Sequence, residues 1–305
     1  MSQHAAEKIP GAKDAAISAK GLSAGTVGLV GAVVIGVSTI APAYTLTASL
    51  GPTVSAVGVQ VPAVILVGFI PMLLVALGYR ELNRVMPDSG TSFTWGVRAF
   101  GPWIGWMTGW GLIAATVIVL SNLAGIAVEF LFLLIAQISG NEGIAELAFN
   151  PFINVAVCLL FLLGATLVSY RDMQTTQKFQ YVLVGFQVVV LVLFAVAAFV
   201  KSFSGDGIDH LAFDWSWINP FEVSSFSAFA AGISLSIFIF WGWDVVLTMN
   251  EETKDPAKTP GRAAMVTVFV VVSLYLLLAI GLIMFAGVGD GDYGLANEGI
   301  SANVF

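Results

Sequence analysis

The residues best suited to chemistry lie inside two long apolar stretches of this 305-residue chain. The first stretch is interrupted at residues 36–42, which hold a glycine, two hydroxyl residues and a proline. The sixth is interrupted at residues 241–244, which read Trp-Gly-Trp-Asp. Backbone amides, carbonyls, hydroxyls and a carboxylate can together hold a small polar ligand. The two interruptions therefore indicate binding chemistry inside an apolar environment.

Bond-making chemistry has little support in the sequence. No phosphate-cradling glycine loop, catalytic carboxylate pair or His/Cys metal-ligand spacing is present. Cys158 is the sole cysteine, so an intramolecular disulfide and a thiolate metal site are excluded. His4 and His210 lie in polar flanks, away from the apolar stretches. We therefore expect neither an enzyme nor a cofactor or metal protein, and no nucleic-acid partner.

The composition predicts an all-α polytopic membrane protein. Hydrophobic residues make up 58% of the chain, charged residues 10%, and the mean hydropathy is +0.92. A bilayer core takes about 20 apolar residues per helix. The sequence contains seven such stretches, at residues 26–50, 57–79, 103–135, 151–169, 181–200, 225–249 and 263–286.

The basic residues predict the orientation in the membrane. Of the 12 lysines and arginines, only Lys201 falls on one side; the rest, Lys8, Lys13 and Lys20 among them, fall on the other. Positively charged loops face the cytoplasm. We therefore expect a plasma-membrane protein whose residues 1–25 form a cytoplasmic tail rather than a signal peptide.

Breaks in the first and sixth stretches, five helices apart, predict an inverted repeat. Backbone that leaves the helix at membrane depth survives only where it lines a cavity inside protein. Interrupted segments at corresponding positions of two repeats are typical of secondary transporters with a midplane site. The predicted organisation is a first five-helix repeat, an external loop, the first two helices of a second repeat and a further external loop, at residues 26–201, 202–224, 225–286 and 287–305.

Three motifs resemble the amino acid–polyamine–organocation (APC) superfamily. Residues 86–110, MPDSGTSFTWGVRAFGPWIGWMTGW, resemble the loop that follows the second helix in that superfamily. Residues 238–263, FIFWGWDVVLTMNEETKDPAKTPGRA, resemble its sixth helix and the following loop. The broken first helix with its proline matches in kind. The resemblance implies alternating-access transport of amino acids or related amines.

The resemblance also implies a substrate site at the two breaks. Backbone of the first break holds the substrate carboxylate, helped by the positive end of the outer half-helix. Carbonyls of the sixth-helix break hold the amino group, Phe238 falls at the position of an aromatic gate, and Trp243 is expected to pack. The implied substrate-binding residues are these: Gly36, Val37, Ser38, Thr39, Ile40, Phe238, Trp241 and Gly242.

The coupling ion, proton or sodium, stays open at this stage. Asp244 has two competing roles, a titratable group in the coupling pathway or a structural carboxylate that accepts bonds from unwound backbone. Many members of the superfamily carry a lysine in the fifth helix at the position that Gln187 occupies here. A neutral glutamine cannot supply that charge, so the lysine-based model does not carry over.

Other classes of membrane protein fit less well. A seven-helix receptor would have its N-terminus outside, and a retinal pump needs a lysine in residues 263–286, which contain none. A non-transporting remnant or scaffold subunit is the remaining alternative, because only seven of ten or more expected helices are present. The chain resembles the N-terminal part of a longer transporter that is truncated in an external loop. In isolation, we expect it to re-form helix across both breaks or to associate with another subunit.

Overall fold

A computed structural model describes residues 25–171, 173–291 and 293–297. Most of the predicted cytoplasmic tail, including His4, Lys8, Lys13 and Lys20, lies outside the described residues, as does the end of the last predicted loop. The described residues contain no β-strand and ten α-helices: α1 (Leu29–Ile40), α2 (Pro42–Val57), α3 (Val61–Val85), α4 (Thr91–Phe100), α5 (Pro102–Ser139), α6 (Pro151–Arg171), α7 (Met173–Ser204), α8 (Phe226–Ile239), α9 (Val245–Thr248) and α10 (Thr259–Ala286).

These helices account for the seven predicted stretches. Five helical segments of the described chain are long and apolar enough to cross a membrane. One of them, Leu29–Val85, has 57 residues, which at full helical rise would be about 85 Å, far more than one crossing of about 30 Å. It is divided at Gly58, whose φ of 61° ends α2, so it supplies two crossings. The sixth stretch is the shorter helix α8 followed by α9. The prediction of an all-α polytopic membrane protein is confirmed.

The described residues up to 91 and from 177 onward form one compact unit. Within it, α10 packs against α3 and α1, and α8 packs against α2 and α3. Its core contains the fully buried side chains of Phe240, Leu247, Tyr275 and Leu278. The first, second, fifth, sixth and seventh stretches therefore belong to one compact unit, and both interruptions lie inside it.

Residues 92–176 form a second compact unit. Here α4 lies close against the start of α5, because a Cβ atom on Gly105 would come within 2.2 Å of a Val97 methyl group. Trp106 and Trp110 stack along α5 with ring centroids 6.1 Å apart. A 3-10 segment, Glu142–Phe149, joins α5 to α6 and packs on both.

The loop after the sixth stretch is hydrogen-bonded to the start of α1 and to the end of α3. Val27, just before α1, donates its N–H to the Glu252 carbonyl (3.0 Å) and accepts a bond from the Lys254 N–H (2.8 Å). The side-chain amide of Asn83, near the end of α3, donates to the Pro256 carbonyl (2.9 Å). These bonds join the start of α1, the end of α3 and the loop between α9 and α10. The inverted repeat and its boundaries remain predictions.

Candidate functional site

The first break is a single residue. Ala41 has φ 52° and ψ 62°, the left-handed conformation, and separates α1 from α2. This conformation costs a non-glycine residue roughly 1–2 kcal/mol. The Ala41 N–H still bonds the carbonyls of Val37 (3.2 Å) and Ser38 (3.1 Å), while Pro42 has no N–H to continue the ladder. The predicted interruption over 36–42 is therefore too long, because residues 36–40 remain helical.

The second break is longer and lies where the sequence predicts it. The chain leaves the helix at Phe240 and resumes it at Val245, with Gly242 at φ 112° between them. Glycine adopts such a φ without the steric cost of a Cβ atom. The interruption predicted at 241–244 is confirmed.

The two breaks touch each other. The Thr39 hydroxyl lies 2.9 Å from the Gly242 carbonyl, 203 positions away, and 3.0 Å from the carbonyls of Ile35 and Gly36 in its own helix. A Cβ atom on Gly242 would lie only 2.8 Å from the Thr39 carbonyl oxygen. Helix is continuous across neither break in the described chain, so the first of the two expectations for the isolated chain is not met. The alternative, association with another subunit, stays a prediction.

The predicted residues of α1 divide into two faces. Gly36, Val37 and Ile40 are buried, and a Cβ atom on Gly36 would lie 2.5 Å from the Thr267 hydroxyl of α10 and 2.7 Å from a Val246 methyl group of α9. Thr39 is exposed and Ser38 is half-buried. Side chains on the buried face therefore hold α1 to its neighbours.

The aromatic residues near the second break divide in the same way. Phe238 is 38% exposed and Trp241 is half-buried, so both reach a surface of this unit. Phe240 is fully buried, and Trp243 is 3% exposed with its ring edge against Tyr79 (centroids 5.3 Å apart). The packing role expected of Trp243 is confirmed.

Backbone polarity differs between the breaks. In the described chain, no hydrogen bond ends on the carbonyl oxygens of Phe240 and Trp241, and the Ala43 N–H in the first turn of α2 donates none. The start of a helix carries partial positive charge and the end of a helix partial negative charge. The start of α2 thus suits an anionic group, and the end of α8 with the turn after it suits a cationic one.

Asp244 is half-buried at the end of the second break. Among the described lysines and arginines, none places a nitrogen within 4 Å of its carboxylate. Its side chain makes no capping hydrogen bond to the first turn of α9. Both roles left open for Asp244, a titratable coupling group or a structural carboxylate, stay predictions. Gln187 also has a buried side-chain nitrogen without a partner in the described chain.

Two residues of this region do not appear among the predicted ones. Tyr275 of α10 donates its hydroxyl to the Ile239 carbonyl (2.9 Å), and Thr45 of α2 bonds the same hydroxyl. Their position inside apolar stretches could have identified them, because a hydroxyl at membrane depth needs a hydrogen-bond partner. No group of three or more His, Cys, Asp or Glu side chains in the described part of the chain could hold a metal ion.

Comparison with known proteins places the chain in a family. Residues 24–305 match the family described as amino acid permease. The chain belongs to that family, and its relatives are permeases of the APC superfamily. The class that the broken-helix motifs predicted is confirmed.

Three relatives illustrate the range of named substrates. The branched-chain amino acid permease BcaP of Lactococcus lactis is 24% identical over 218 residues, covering 68% of this chain and 45% of its own length. The low-affinity putrescine importer PlaP of Escherichia coli is 25% identical over 246 residues, covering 80% and 50%. The methylthioribose transporter of Bacillus subtilis is 27% identical over 255 residues, covering 79% and 52%. The chain spans about half the length of the curated relatives it matches.

Proposed function

We propose that the protein carries an amino acid or a related amine across the plasma membrane by alternating access, with its N-terminus in the cytoplasm. One observation carries the proposal: the last turn of α1 touches the turn after α8 at the contact between Thr39 and Gly242, which brings the neighbouring start of α2 and end of α8, of opposite backbone polarity, to one place. A zwitterionic amino acid has the matching pair of charged ends. The family and its named relatives support the same substrate class.

In the proposed binding mode, the substrate carboxylate lies at the start of α2, near the Ala43 N–H. Its ammonium group lies on the carbonyl oxygens of Phe240 and Trp241, which accept no bond within the described chain. Ser38, Thr39, Phe238 and Trp241 reach the surface of this unit and are the predicted side chains that can touch substrate. Gly36, Val37 and Ile40 support the site from behind.

The test uses the protein encoded by the complete reading frame, in proteoliposomes. Uptake of labelled amino acids and polyamines is measured, and competitors of matched side chain are then added: the free amino acid, its methyl ester and its N-acetyl derivative. We expect only the free amino acid to compete strongly, because each derivative removes one of the two charged ends. Binding of the same compounds is followed by the rise in apparent unfolding temperature.

Two results would count against the proposal, the first against transport and the second against the binding mode alone. The first is a failure of all amino acids and amines to be taken up or to raise the unfolding temperature, which would favour a non-transporting scaffold. The second is equal competition by both blocked derivatives, which would remove the two-ended binding mode while leaving transport in place.

A further inference from the structure

Tyr275 lies at the centre of the first unit and is completely buried. Its ring packs against Phe240, with centroids 5.7 Å apart. Its hydroxyl lies 2.9 Å from the carbonyl oxygen of Ile239 and is also hydrogen-bonded to the Thr45 hydroxyl. One side chain of α10 thus contacts both broken stretches.

The direction of these bonds follows from the number of protons. A carbonyl oxygen can only accept, so the single hydroxyl proton of Tyr275 points at Ile239. The Thr45 hydroxyl must then donate to Tyr275, although the Ala41 carbonyl lies 3.2 Å away as its other acceptor. The result is a directed chain from Thr45 to Tyr275 to Ile239.

This chain of hydrogen bonds connects two helix ends of the candidate site. Ile239 is the last residue of α8, where carbonyls lose their helical partners. Thr45 lies one turn inside α2, and its own N–H bonds the Ala41 carbonyl (3.0 Å). The Tyr275 hydroxyl therefore fastens the end of α8 to the start of α2.

The Tyr275 hydrogen bond also bears on which carbonyls of the second break remain available to a ligand. Tyr275 occupies the Ile239 carbonyl, and the Gly242 carbonyl accepts the Val245 N–H (3.4 Å) and lies 2.9 Å from the Thr39 hydroxyl. Between them, the carbonyls of Phe240 and Trp241 accept no bond within the described chain. The first and last of these four carbonyls, those of Ile239 and Gly242, thus have partners within the described residues, and the middle pair does not.

We propose that Tyr275 is a positioning residue for transport: through Thr45 and Ile239 it holds the two breaks at a fixed spacing and leaves the Phe240 and Trp241 carbonyls for the substrate cation. The inference rests on the proposed function, because that function assigns the Phe240 and Trp241 carbonyls to the substrate ammonium group. Tyr275 itself does not touch the substrate. It acts by removing the cost of ordering the site at the moment of binding.

The first test is kinetic and compares Tyr275→Phe with Ser273→Ala, each in the protein of the complete reading frame. Phenylalanine keeps the ring and removes the hydroxyl. Ser273 is an exposed residue of the same helix, and its hydroxyl bonds only its own helix at Phe269 (2.9 Å) among the described residues. We expect KM for uptake to rise about fivefold to thirtyfold in Tyr275→Phe, as loss of a buried hydrogen bond predicts. Turnover per folded molecule should change little, and Ser273→Ala should match the unsubstituted protein.

The second test measures the link without transport. Thr45→Val, Tyr275→Phe and the double variant are compared by thermal unfolding. Residues in one hydrogen-bond chain give non-additive losses, so the double variant should be hardly less stable than Tyr275→Phe alone. Strictly additive losses would overturn the chain of bonds.

The outcomes separate this inference from the proposed function. Absence of all amino acid and amine uptake in the unsubstituted protein overturns the proposed function, and with it a role of Tyr275 in transport. Normal uptake with an unchanged KM in Tyr275→Phe overturns this inference alone. A fall in turnover with unchanged KM assigns Tyr275 a structural role and likewise overturns it.

Discussion

Gly242 shows how a single residue can fix the geometry of a site. Its φ of 112° lies in the region that favours glycine, and its α-carbon approaches the Thr39 carbonyl so closely that a Cβ atom would be 2.8 Å from that oxygen. Both the φ of this residue and its close contact with backbone therefore require glycine at position 242. Ala41 also adopts a left-handed φ, 52°, although it is not glycine. Its strain is offset by bonds from its N–H to two carbonyls of α1.

We expect Gly242→Ala to destabilise the protein by about 1–3 kcal/mol, because alanine is strained at this φ and its Cβ collides with backbone rather than with a movable side chain. Thermal unfolding in detergent measures the change. Gly185→Ala in α7 is the matched control, since a Cβ atom there meets nothing within 4 Å. Equal unfolding temperatures for the two variants would contradict the assigned contact.

Asp244 makes a second prediction at this scale. A membrane-depth carboxylate without a cation is costly and is kept for function, and no described lysine or arginine nitrogen lies within 4 Å of it. We therefore expect Asp244→Asn to abolish any pH dependence of uptake without lowering the unfolding temperature. Uptake measured across a pH series gives the answer. A less stable variant whose uptake keeps its pH dependence would restore the structural role.

Close contacts at small residues organise the helices of the first unit. A Cβ atom on Gly68 of α3 would lie 2.2 Å from the Ser236 hydroxyl oxygen and 3.2 Å from the Ser236 backbone carbon on α8. A Cβ atom on Gly232 of α8 would lie 2.8 Å from a Val57 methyl group. Such positions let helix backbones approach closely within a membrane. Packing at α8 therefore holds the second break against α2 and α3.

Gly68→Ala should lower the free energy of unfolding by about 1–3 kcal/mol, because the added methyl group overpacks the contact between α3 and α8. Gly78→Ala, ten residues further along the same helix, should be neutral or slightly stabilising, since its Cβ would meet nothing within 4 Å. Paired unfolding curves in the same detergent make the comparison. Equal losses in both variants would show that α3 and α8 do not pack as described.

At the scale of the whole molecule, the described helices explain why the first, second, fifth, sixth and seventh stretches belong together. They form one compact unit in which each break is covered by neighbours from other stretches. The family membership and the proposed transport agree with this arrangement. Orientation in the membrane remains a prediction from the distribution of basic residues.

Cysteine labelling tests that orientation. In a Cys158→Ser background, Asp206→Cys should react with a membrane-impermeant maleimide on intact cells, and Lys254→Cys should react only after permeabilisation. Both positions are exposed, so accessibility does not differ between them. The reverse labelling pattern would place the N-terminus outside the cell.

A polypeptide limited to residues 1–305 should not transport as a monomer. The resemblance to the superfamily implies that the breaks of helices one and six work against a scaffold that includes helices beyond the seventh. Thr39 and Phe238 would then lack the opposing wall of a cavity. Amino acid uptake by liposomes that contain a demonstrated monomer of this length is the measurement, and robust uptake would contradict the prediction.

The sequence by itself determined the membrane class, the seven stretches and the position of the second break. Runs of about 20 apolar residues are typical of helices that cross a bilayer. The sequence Trp-Gly-Trp-Asp at membrane depth disfavours continuous helix. It also led to the family through the motif at residues 238–263, which the match over residues 24–305 confirms.

Tertiary structure alone decided which residues meet. The sequence predicted an interruption over 36–42, but local bonds keep α1 helical to Ile40 and confine the break to Ala41. Tyr275 and Thr45 were missed because they are far apart in the chain and become partners only when α10 packs beside α2. Periodicity and composition report the environment of a residue, whereas a hydrogen bond between distant stretches depends on how the helices are placed around each other.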